Sequence, residues 1–545
     1  MLARMSAKIR RQPRQKRGSR GPGKAAGGAR ANPHVVDDQG EALAFLSRPE
    51  AYGISTEPIR IDTHAAVVFL AGACAYKMKR AVRFPFLDFS TLERRRRVCE
   101  AELELNRKNA PELYLDTVPV VRRDGTLKLG GEGEVVEWLL RMRRFDPADT
   151  LDHVADRGEL SGEILAKIVD AIVAAHARAP VADGDAATRR LQSWMRGNFE
   201  ELLETPDTVP PDEVERLRAM SEAEFDRVAG LLLARGREGH VRRCHGDLHL
   251  RNIVLIEGKP VLFDALEFDD AFATHDLFYD LAFLLMDLWQ RGLRAEANQV
   301  LNRYLWQRDD VRDIDGCALL PLFMSIRAAI RAKVAIMTAP FEDPKNAKAC
   351  IAEARRYLAF AEAFLAPVAP RLIAVGGLSG TGKTSVSASI AAELGRPPGA
   401  LHLRSDIERK RMFGVADVDR LPPSTYTQET SDAIYARLRD KADRAMKAGQ
   451  SVVVDAVHSR PAEREAIEAV ARENLVPFMG VWLDAPQKVL IERIAQRIGD
   501  ASDANADVVK HQFTYDIGPI GWTRFDASPG VESLRQAILE RIRSA

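Results

Sequence analysis

Apolar positions along the 545 residues fall into two successive patterns. In the first, His64 to Ala71 and Cys74 to Val82 are apolar-rich runs joined at Gly72-Ala73, which predicts an antiparallel hairpin. Ser90-Thr91-Leu92-Glu93 has capping-box spacing and opens a charged helix that Pro111 stops near Asn109. Pro119 to Val121 and Glu134 to Leu140 predict further strands, and residues 160–240 carry a helical period. Ile253 to Phe263 reads as a second hairpin turning at Glu257-Gly258-Lys259-Pro260, with more helices to about 366. Ala366-Pro367-Val368-Ala369-Pro370 breaks that run. The second pattern then begins with a buried-strand run, Arg371 to Val375, a glycine-rich stretch and a helix. Strand–helix alternation continues to the C-terminus, which predicts a parallel α/β sheet. The change of pattern places a boundary near 368 and divides the chain into bodies at 34–366 and 368–545. No internal repeat relates them.

Composition narrows the class. Apolar residues make up 46% and charged residues 29%, as in ordinary globular chains. The most apolar stretch, Leu277 to Trp289, is interrupted by Asp280 and Asp287, which argues against a transmembrane helix and a membrane partner. Five cysteines without a C-x-x-C pair argue against a disulfide framework or zinc module and for a reducing, cytoplasmic setting. Charge is unevenly spread. Residues 1–30 hold ten Lys or Arg and no acid, leaving 69 basic against 78 acidic residues in the remainder. The stretch 1–33 therefore reads as a basic, disordered tail. A solvated tail without a role, or an overlong start, is the leading reading. A nucleic-acid-binding arm and an Arg-rich transit segment are the alternatives.

The glycine-rich stretch, Gly377-Leu378-Ser379-Gly380-Thr381-Gly382-Lys383-Thr384, fits G-x-x-x-x-G-K-[ST] between a strand and a helix running from Lys383 to Leu394, closed by Gly395. Gly377, Ser379, Gly380, Thr381 and Gly382 form a loop whose backbone N–H groups can turn toward phosphate oxygens. In that motif Lys383 reaches the β- and γ-phosphates and the Thr384 hydroxyl ligates Mg²⁺. Ser451 to Asp455 is an apolar strand ending in a carboxylate, the expected place for the acid near Mg²⁺. Asp406 follows another strand, with Arg409 on the same helical face; as a bland alternative Asp406 caps that helix. Asp484-Ala485-Pro486 opens a helix carrying Arg493 and Arg497, whose paired guanidinium groups can stabilise transferring phosphoryl charge. From about 370 to 545 the chain resembles small P-loop kinases, including the gluconate-kinase, polynucleotide-kinase and zeta-toxin-like groups. The resemblance implies that Asp406 binds or deprotonates the acceptor hydroxyl, that Arg493 and Arg497 are lid arginines, and that Ile498 to Ala506 is a mobile lid stretch.

A second motif, His245-Gly246-Asp247-Leu248-His249-Leu250-Arg251-Asn252, has the H-x-D-x-x-x-x-N spacing of kinase catalytic loops. It offers Asp247 to take the acceptor's proton and Asn252 to hold a metal, and the hairpin after it ends in Asp264, the second metal ligand. Cys74-Ala75-Tyr76-Lys77 stands where a kinase has its phosphate-contacting lysine. Lys77 is favoured and Lys79, on the same strand face, is the alternate. Glu100, Glu102 and Glu104 on the next helix are candidate ion-pair partners, Glu102 favoured. Across about 64–290 the chain resembles the aminoglycoside phosphotransferase family, Gly246 and His249 being that family's version of the loop. The resemblance implies a two-lobed protein-kinase-like fold. No G-x-G-x-x-G loop precedes Lys77, and Ala265 rather than Gly follows Asp264. The whole arrangement resembles bacterial proteins that join such a domain to a P-loop kinase-like one.

The sequence thus predicts an α+β kinase-like domain followed by an α/β P-loop domain. Each holds ATP and Mg²⁺ for transfer to a small-molecule hydroxyl. Two alternatives stand beside this. One is a nucleotide-dependent regulator in which one domain binds ATP without transfer. The other is a nucleic-acid-end kinase that uses the basic tail.

Overall fold

The computed structural model describes residues 36–544 except 64, 85–86, 268, 418 and 496–501. The basic tail lies outside the described residues. The N-terminal body opens with strands β1 (Ile59–Asp62), β2 (Ala66–Ala71), β3 (Cys74–Lys79), β4 (Arg83–Phe84), β5 (Leu87–Asp88), β6 (Tyr114–Arg123), β7 (Thr126–Leu129) and β8 (Glu134–Arg143). Six of them form one antiparallel sheet in the order β1-β2-β3-β8-β6-β7, while β4 and β5 pair with each other. The expected first hairpin is β2–β3, with Val68 opposite Lys77. The helix Leu92–Arg107 packs on β6 and β8. Its cap is Thr91, one residue later than the sequence pattern placed it, because the Ser90 hydroxyl bonds Asp88 instead.

A helical lobe follows, built from helices such as Gly162–Arg178, Pro211–Arg237, Leu277–Gln290, Arg294–Arg308 and Leu320–Thr338. Two short ribbons interrupt it: β9 (Val241–Arg243) with β12 (Thr274–Asp276), and the second hairpin, β10 (Ile253–Ile256) with β11 (Lys259–Leu262).

The C-terminal body is a five-stranded parallel sheet of β13 (Leu372–Gly377), β14 (Leu401–Arg404), β15 (Val452–Asp455), β16 (Phe478–Asp484) and β17 (Thr523–Asp526). Its order is β14-β15-β13-β16-β17. Strand alternation sorts the core. Ile373, Val375, Val453 and Val481 lie with Val386, Ile390 and Ile538 of the helices Lys383–Ala391 and Val531–Ser544. That first helix is shorter than predicted, ending at Ala391 before a turn that reaches Gly395.

The opposite face, with Leu372, Leu401, Leu403, Val452 and Val454, belongs to the same continuous apolar core as the helical lobe. The change of pattern near 368 is therefore a joint in connectivity across which the packing is shared. Polar contacts reinforce it. β14 is the sheet's edge, a row of backbone groups that need partners. Asn298 Nδ2 donates to the carbonyls of Pro398 (3.1 Å) and Ala400 (2.9 Å), and the His402 N–H donates to Asn302 Oδ1 (2.7 Å). Asp309, at the end of the helix Arg294–Arg308, lies 3.6–3.8 Å from Arg411, Arg437 and Lys441. Asn298→Leu keeps the branched outline of the side chain but removes the donor shared by the Pro398 and Ala400 carbonyls, of which Ala400 alone keeps another in Asn302 (3.3 Å). We expect it to cost about 1–3 kcal/mol, read as a lower midpoint in urea unfolding. An unchanged midpoint would mean that the edge contact carries no stability.

Among the described residues no helix is long and apolar enough to cross a membrane, and all five cysteines are free thiols.

Candidate active sites

In the N-terminal body the loop from Cys244 to Asn252 is held by groups on three sides. His245 Nε2 donates to the Phe263 carbonyl (3.0 Å), which fixes the neutral tautomer. Its Nδ1 then accepts the Asp247 N–H (3.3 Å). Burial lowers the His245 pKa and so favours this neutral form. Gly246 has φ +85°, and a Cβ there would stand 3.0 Å from Leu266 Cβ and 3.1 Å from Ala273 Cβ, so glycine is required. Asn252 Nδ2 donates to the Asp247 carboxylate (3.0 Å) and to its carbonyl (2.9 Å), and His249 Nε2 lies 3.5 Å from the same carboxylate.

The two acids that break the apolar run 277–289 are what the loop hangs on. Asp280 accepts the N–H groups of His245 (3.2 Å) and Gly246 (2.8 Å), and Asp287, two helical turns on, accepts that of Leu250 (3.1 Å). Burial alone would raise the Asp280 carboxyl, but His176, bonded at 3.2 Å, and His275 outweigh it and keep it well below the carboxylate range. Arg327 closes the third side, donating to the Gly246 carbonyl (3.1 Å) while stacked over Tyr279.

Facing this loop is a chain of alternating charge. Lys77 Nζ lies 2.6 Å from Glu102 and 2.7 Å from Asp264; Lys79 Nζ lies 2.6 Å from Glu102 and also pairs with Glu267. Both lysines thus meet Glu102, which is fully buried, while Glu100 and Glu104 pair with Arg96 and Lys108 at the surface. Burial would lower the Lys77 ammonium, but Asp264 and Glu102 outweigh it and hold its pKa well above the usual value. Burial would likewise raise Asp264, but Lys77 holds it low. Glu267 is raised by its burial. The Asp264 backbone is fixed too: its N–H donates to Tyr114 Oη (2.9 Å), and the next N–H, of Ala265, to Asn106 Oδ1 (2.8 Å). Three carboxylates against two lysines leave an anionic excess. With the Asn252 carboxamide oxygen, that oxygen-rich set suits a hard divalent cation.

In the C-terminal body the glycine loop joins β13 to the helix Lys383–Ala391. Gly377 has φ +140°, and a Cβ there would sit 2.5 Å from the Leu483 carbonyl oxygen. Gly380 and Gly382 are left-handed as well. Lys383 Nζ donates to the Leu378 carbonyl (3.0 Å), and Thr384 Oγ1 donates to Asp455 Oδ2 (2.7 Å). Burial opposes ionisation of Asp455, but His402, 3.6 Å away, together with Lys383 and Arg404, outweighs it and holds the carboxyl at about 2. A hydroxyl and an ionised carboxylate side by side at a phosphate loop fit Mg²⁺.

Asp406 is the second residue of the helix Ser405–Met412, whose N-cap is Arg404. It therefore does not cap that helix. Burial, and next the charge of Asp455, raise its pKa. Arg409, one turn on, donates to the Thr425 carbonyl (2.9 Å) and Ser431 Oγ (3.3 Å), with its guanidinium 4.6 Å from the Tyr426 ring. The phosphate loop, Asp406, Arg409 and Asp455 all line one cleft of about 1500 Å³. Arg493 lines it too, but its guanidinium is engaged by the Ala527 carbonyl (2.8 Å). Arg497 lies outside the described residues, as do 498–501 of the expected lid. Asp503, expected in a mobile stretch, is instead fastened to Lys410 (2.8 Å), the Leu421 N–H (3.0 Å) and Tyr426 Oη (2.7 Å).

Sequence reasoning passed over Asp280, Asp287, Glu267, Asp503 and Gln512 as site residues. The first two had a visible signal, carboxylates seven apart inside an apolar helix soon after a catalytic-loop motif.

Comparisons with known proteins match two successive parts of the chain. The family described as "Phosphotransferase enzyme family" matches residues 71–314, and the one described as "AAA domain" matches 372–515. An uncharacterized protein of Mycobacterium tuberculosis is 29% identical over 504 residues, 90% of this chain and 96% of its own. Among solved structures, a choline/ethanolamine kinase family protein from Mesorhizobium loti is 13% identical, covering 59% of this chain and 98% of its own, with TM-score 0.35. A gluconokinase from Sinorhizobium meliloti is 20% identical, covering 32% of this chain and 94% of its own, with TM-score 0.24. The N-terminal body is thus similar to the phosphotransferase enzyme family and the C-terminal body to the AAA domain family.

Proposed function

We propose that this chain is a cytoplasmic ATP-dependent phosphotransferase with two nucleotide sites, each passing the γ-phosphoryl group to a hydroxyl of a small molecule. The observation that carries this reading is the C-terminal cleft. It has the phosphate loop on one side and a half-buried carboxylate of raised pKa, Asp406, on another, within a volume that holds a nucleotide and a second small molecule.

At the C-terminal site the loop N–H groups and Lys383 bind the phosphates, and Asp406 takes the proton from the acceptor hydroxyl. Arg409, braced against Thr425 and Tyr426, orients the acceptor. At the N-terminal site Lys77, set by Glu102, binds phosphate and Asp247 takes the acceptor's proton. Mg²⁺, held by Thr384 and Asp455 in one site and by Asn252 and Asp264 in the other, supplies charge neutralisation of the phosphates. Arg493 serves the phosphoryl group only if it leaves its carbonyl partner; Arg497 is the second arginine proposed for that role.

Because the two bodies share a core, the test uses the full chain. Mg·ATP binding by calorimetry is expected to fall from two nucleotides per chain to one in Lys383→Ala, with the melting temperature unchanged. A stoichiometry that stays the same would remove the C-terminal assignment. A screen of hydroxylated metabolites with ATP, run on the same variant, then reports the N-terminal acceptor alone.

A further inference from the structure

The segment Ser502–Gln512 lines the C-terminal cleft and is fastened at both ends. At its start Ser502 lines the cleft together with Asp406, and Asp503 is bonded to Lys410 and Tyr426. At its end, on the last residue of the helix Ala506–Gln512, the Gln512 side chain reaches the phosphate loop: its Oε1 accepts the Ser379 N–H at 2.7 Å. Gln512 is only 7% exposed. Its orientation is set by chemistry, since an N–H can be met only by the carboxamide oxygen and not by its NH₂. The NH₂ has no partner among the described residues, yet it is not among the buried polar atoms sealed from solvent. Because Gln512 lines the cleft, this NH₂ is the donor that the fixed carboxamide leaves for a bound group. The Ser379 N–H, a loop donor engaged by Gln512, is in effect exchanged for a side-chain donor placed further out from the loop. The segment joins the phosphate loop to the helix that carries Asp406, through Gln512 at one end and the Asp503–Lys410 pair at the other, and a phosphoryl group in transfer must lie between the loop and Asp406.

We propose that Gln512 is a further catalytic residue of the C-terminal site, its carboxamide NH₂ donating a hydrogen bond to an oxygen of the γ-phosphoryl group in flight. In that step the bond from Pγ to the β-phosphate oxygen breaks, its electron pair staying on ADP. The bond from Pγ to the acceptor oxygen forms, and the acceptor's proton goes to Asp406. Gln512 neither gains nor loses a proton. Its donor meets charge on the transferring group, so it acts on the transition state more than on bound ADP. The inference rests on the reading of this cleft as a phosphoryl-transfer site.

The test needs no known acceptor. Full-length protein is titrated with Mg·ADP alone and with Mg·ADP plus fluoroaluminate, which occupies the place of the transferring phosphoryl group. The C-terminal signal is the part that Lys383→Ala removes. Gln512→Glu keeps an oxygen to accept the Ser379 N–H but replaces the donor by an anionic oxygen. It is expected to weaken fluoroaluminate capture about 10²-fold while Mg·ADP affinity stays within about threefold, the size of effect of losing one preorganised donor. Gln512→Ala should match it, and equal melting temperatures show that both variants fold. Fluoroaluminate capture retained in Gln512→Glu, or an equal loss of Mg·ADP affinity, would overturn the proposal in favour of a residue that only braces the loop. If Lys383→Ala removes no nucleotide signal at all, the transfer-site reading itself fails, and the proposal with it.

Discussion

Asp247→Asn is expected to lower N-terminal transfer by about 10²–10⁴-fold while leaving nucleotide binding intact, the range for loss of a general base. The substitution is isosteric, and its amide oxygen can still accept from Asn252 Nδ2. The Asp247 backbone is held independently, through the second Asn252 bond to its carbonyl and through His245. In the proposed site phosphate binding falls to a separate set, Lys77 with its ion-pair partners Glu102 and Asp264, which the change does not touch. Only the basicity of one carboxylate is removed. The comparison is turnover on an acceptor found by the metabolite screen, set beside a Mg·ATP titration of the same variant. Normal turnover would deny Asp247 its role. Equal loss of nucleotide affinity would make it a structural member of the loop.

How much of this was legible in the sequence differs by the kind of constraint. The phosphate loop was readable because its requirements are local. Gly377 has no room for a Cβ beside Leu483, and a lysine and a threonine must follow at fixed spacing. The catalytic loop was readable for the same reason, with Gly246 packed against Leu266 and Ala273. Asp280 and Asp287 were visible as flaws in an apolar run, but their partners lie more than 30 residues upstream and become neighbours only when the helix packs under the loop. β1 is a short edge strand, Ile-Arg-Ile-Asp, mostly exposed, so its pattern carries no core signal. The shared core was beyond reach because the residues that make it, such as Leu401 and Leu403, alternate as any parallel strand would. Nothing in that period says whether the covering helix comes from the same body or the other. Gln512 is a single polar residue at the end of a short helix, and only the 2.7 Å bond to Ser379 singles it out.

Asp406→Ser separates structure from chemistry at the C-terminal site. Arg404, not Asp406, occupies the N-cap, so the substitution removes no cap. What it gives up in the first turn is a favourable charge near the helix N-terminus, typically 0.3–1 kcal/mol. If Asp406 takes the acceptor's proton, transfer falls by about 10²–10⁴-fold while Mg·ATP affinity holds. A fully active serine variant would show that the acid has no part in transfer. The pH dependence gives a second, independent signature. Burial and the charge of Asp455 raise the Asp406 pKa above the ordinary carboxylate value of about 3.9. Only the ionised form accepts a proton, so the wild-type rate falls about tenfold per unit as pH drops below that raised value. Linkage runs the other way for stability. A carboxyl whose folded pKa is raised contributes stability that is fully present below its unfolded value and is lost as pH rises through the folded one. Wild-type activity therefore rises with pH across the same window in which the contribution of Asp406 to stability disappears. Asp406→Ser should flatten both limbs, which pH–rate profiles and urea midpoints taken at matched pH values will read. A serine variant that keeps the wild-type acid limb would place the titrating group elsewhere in the cleft.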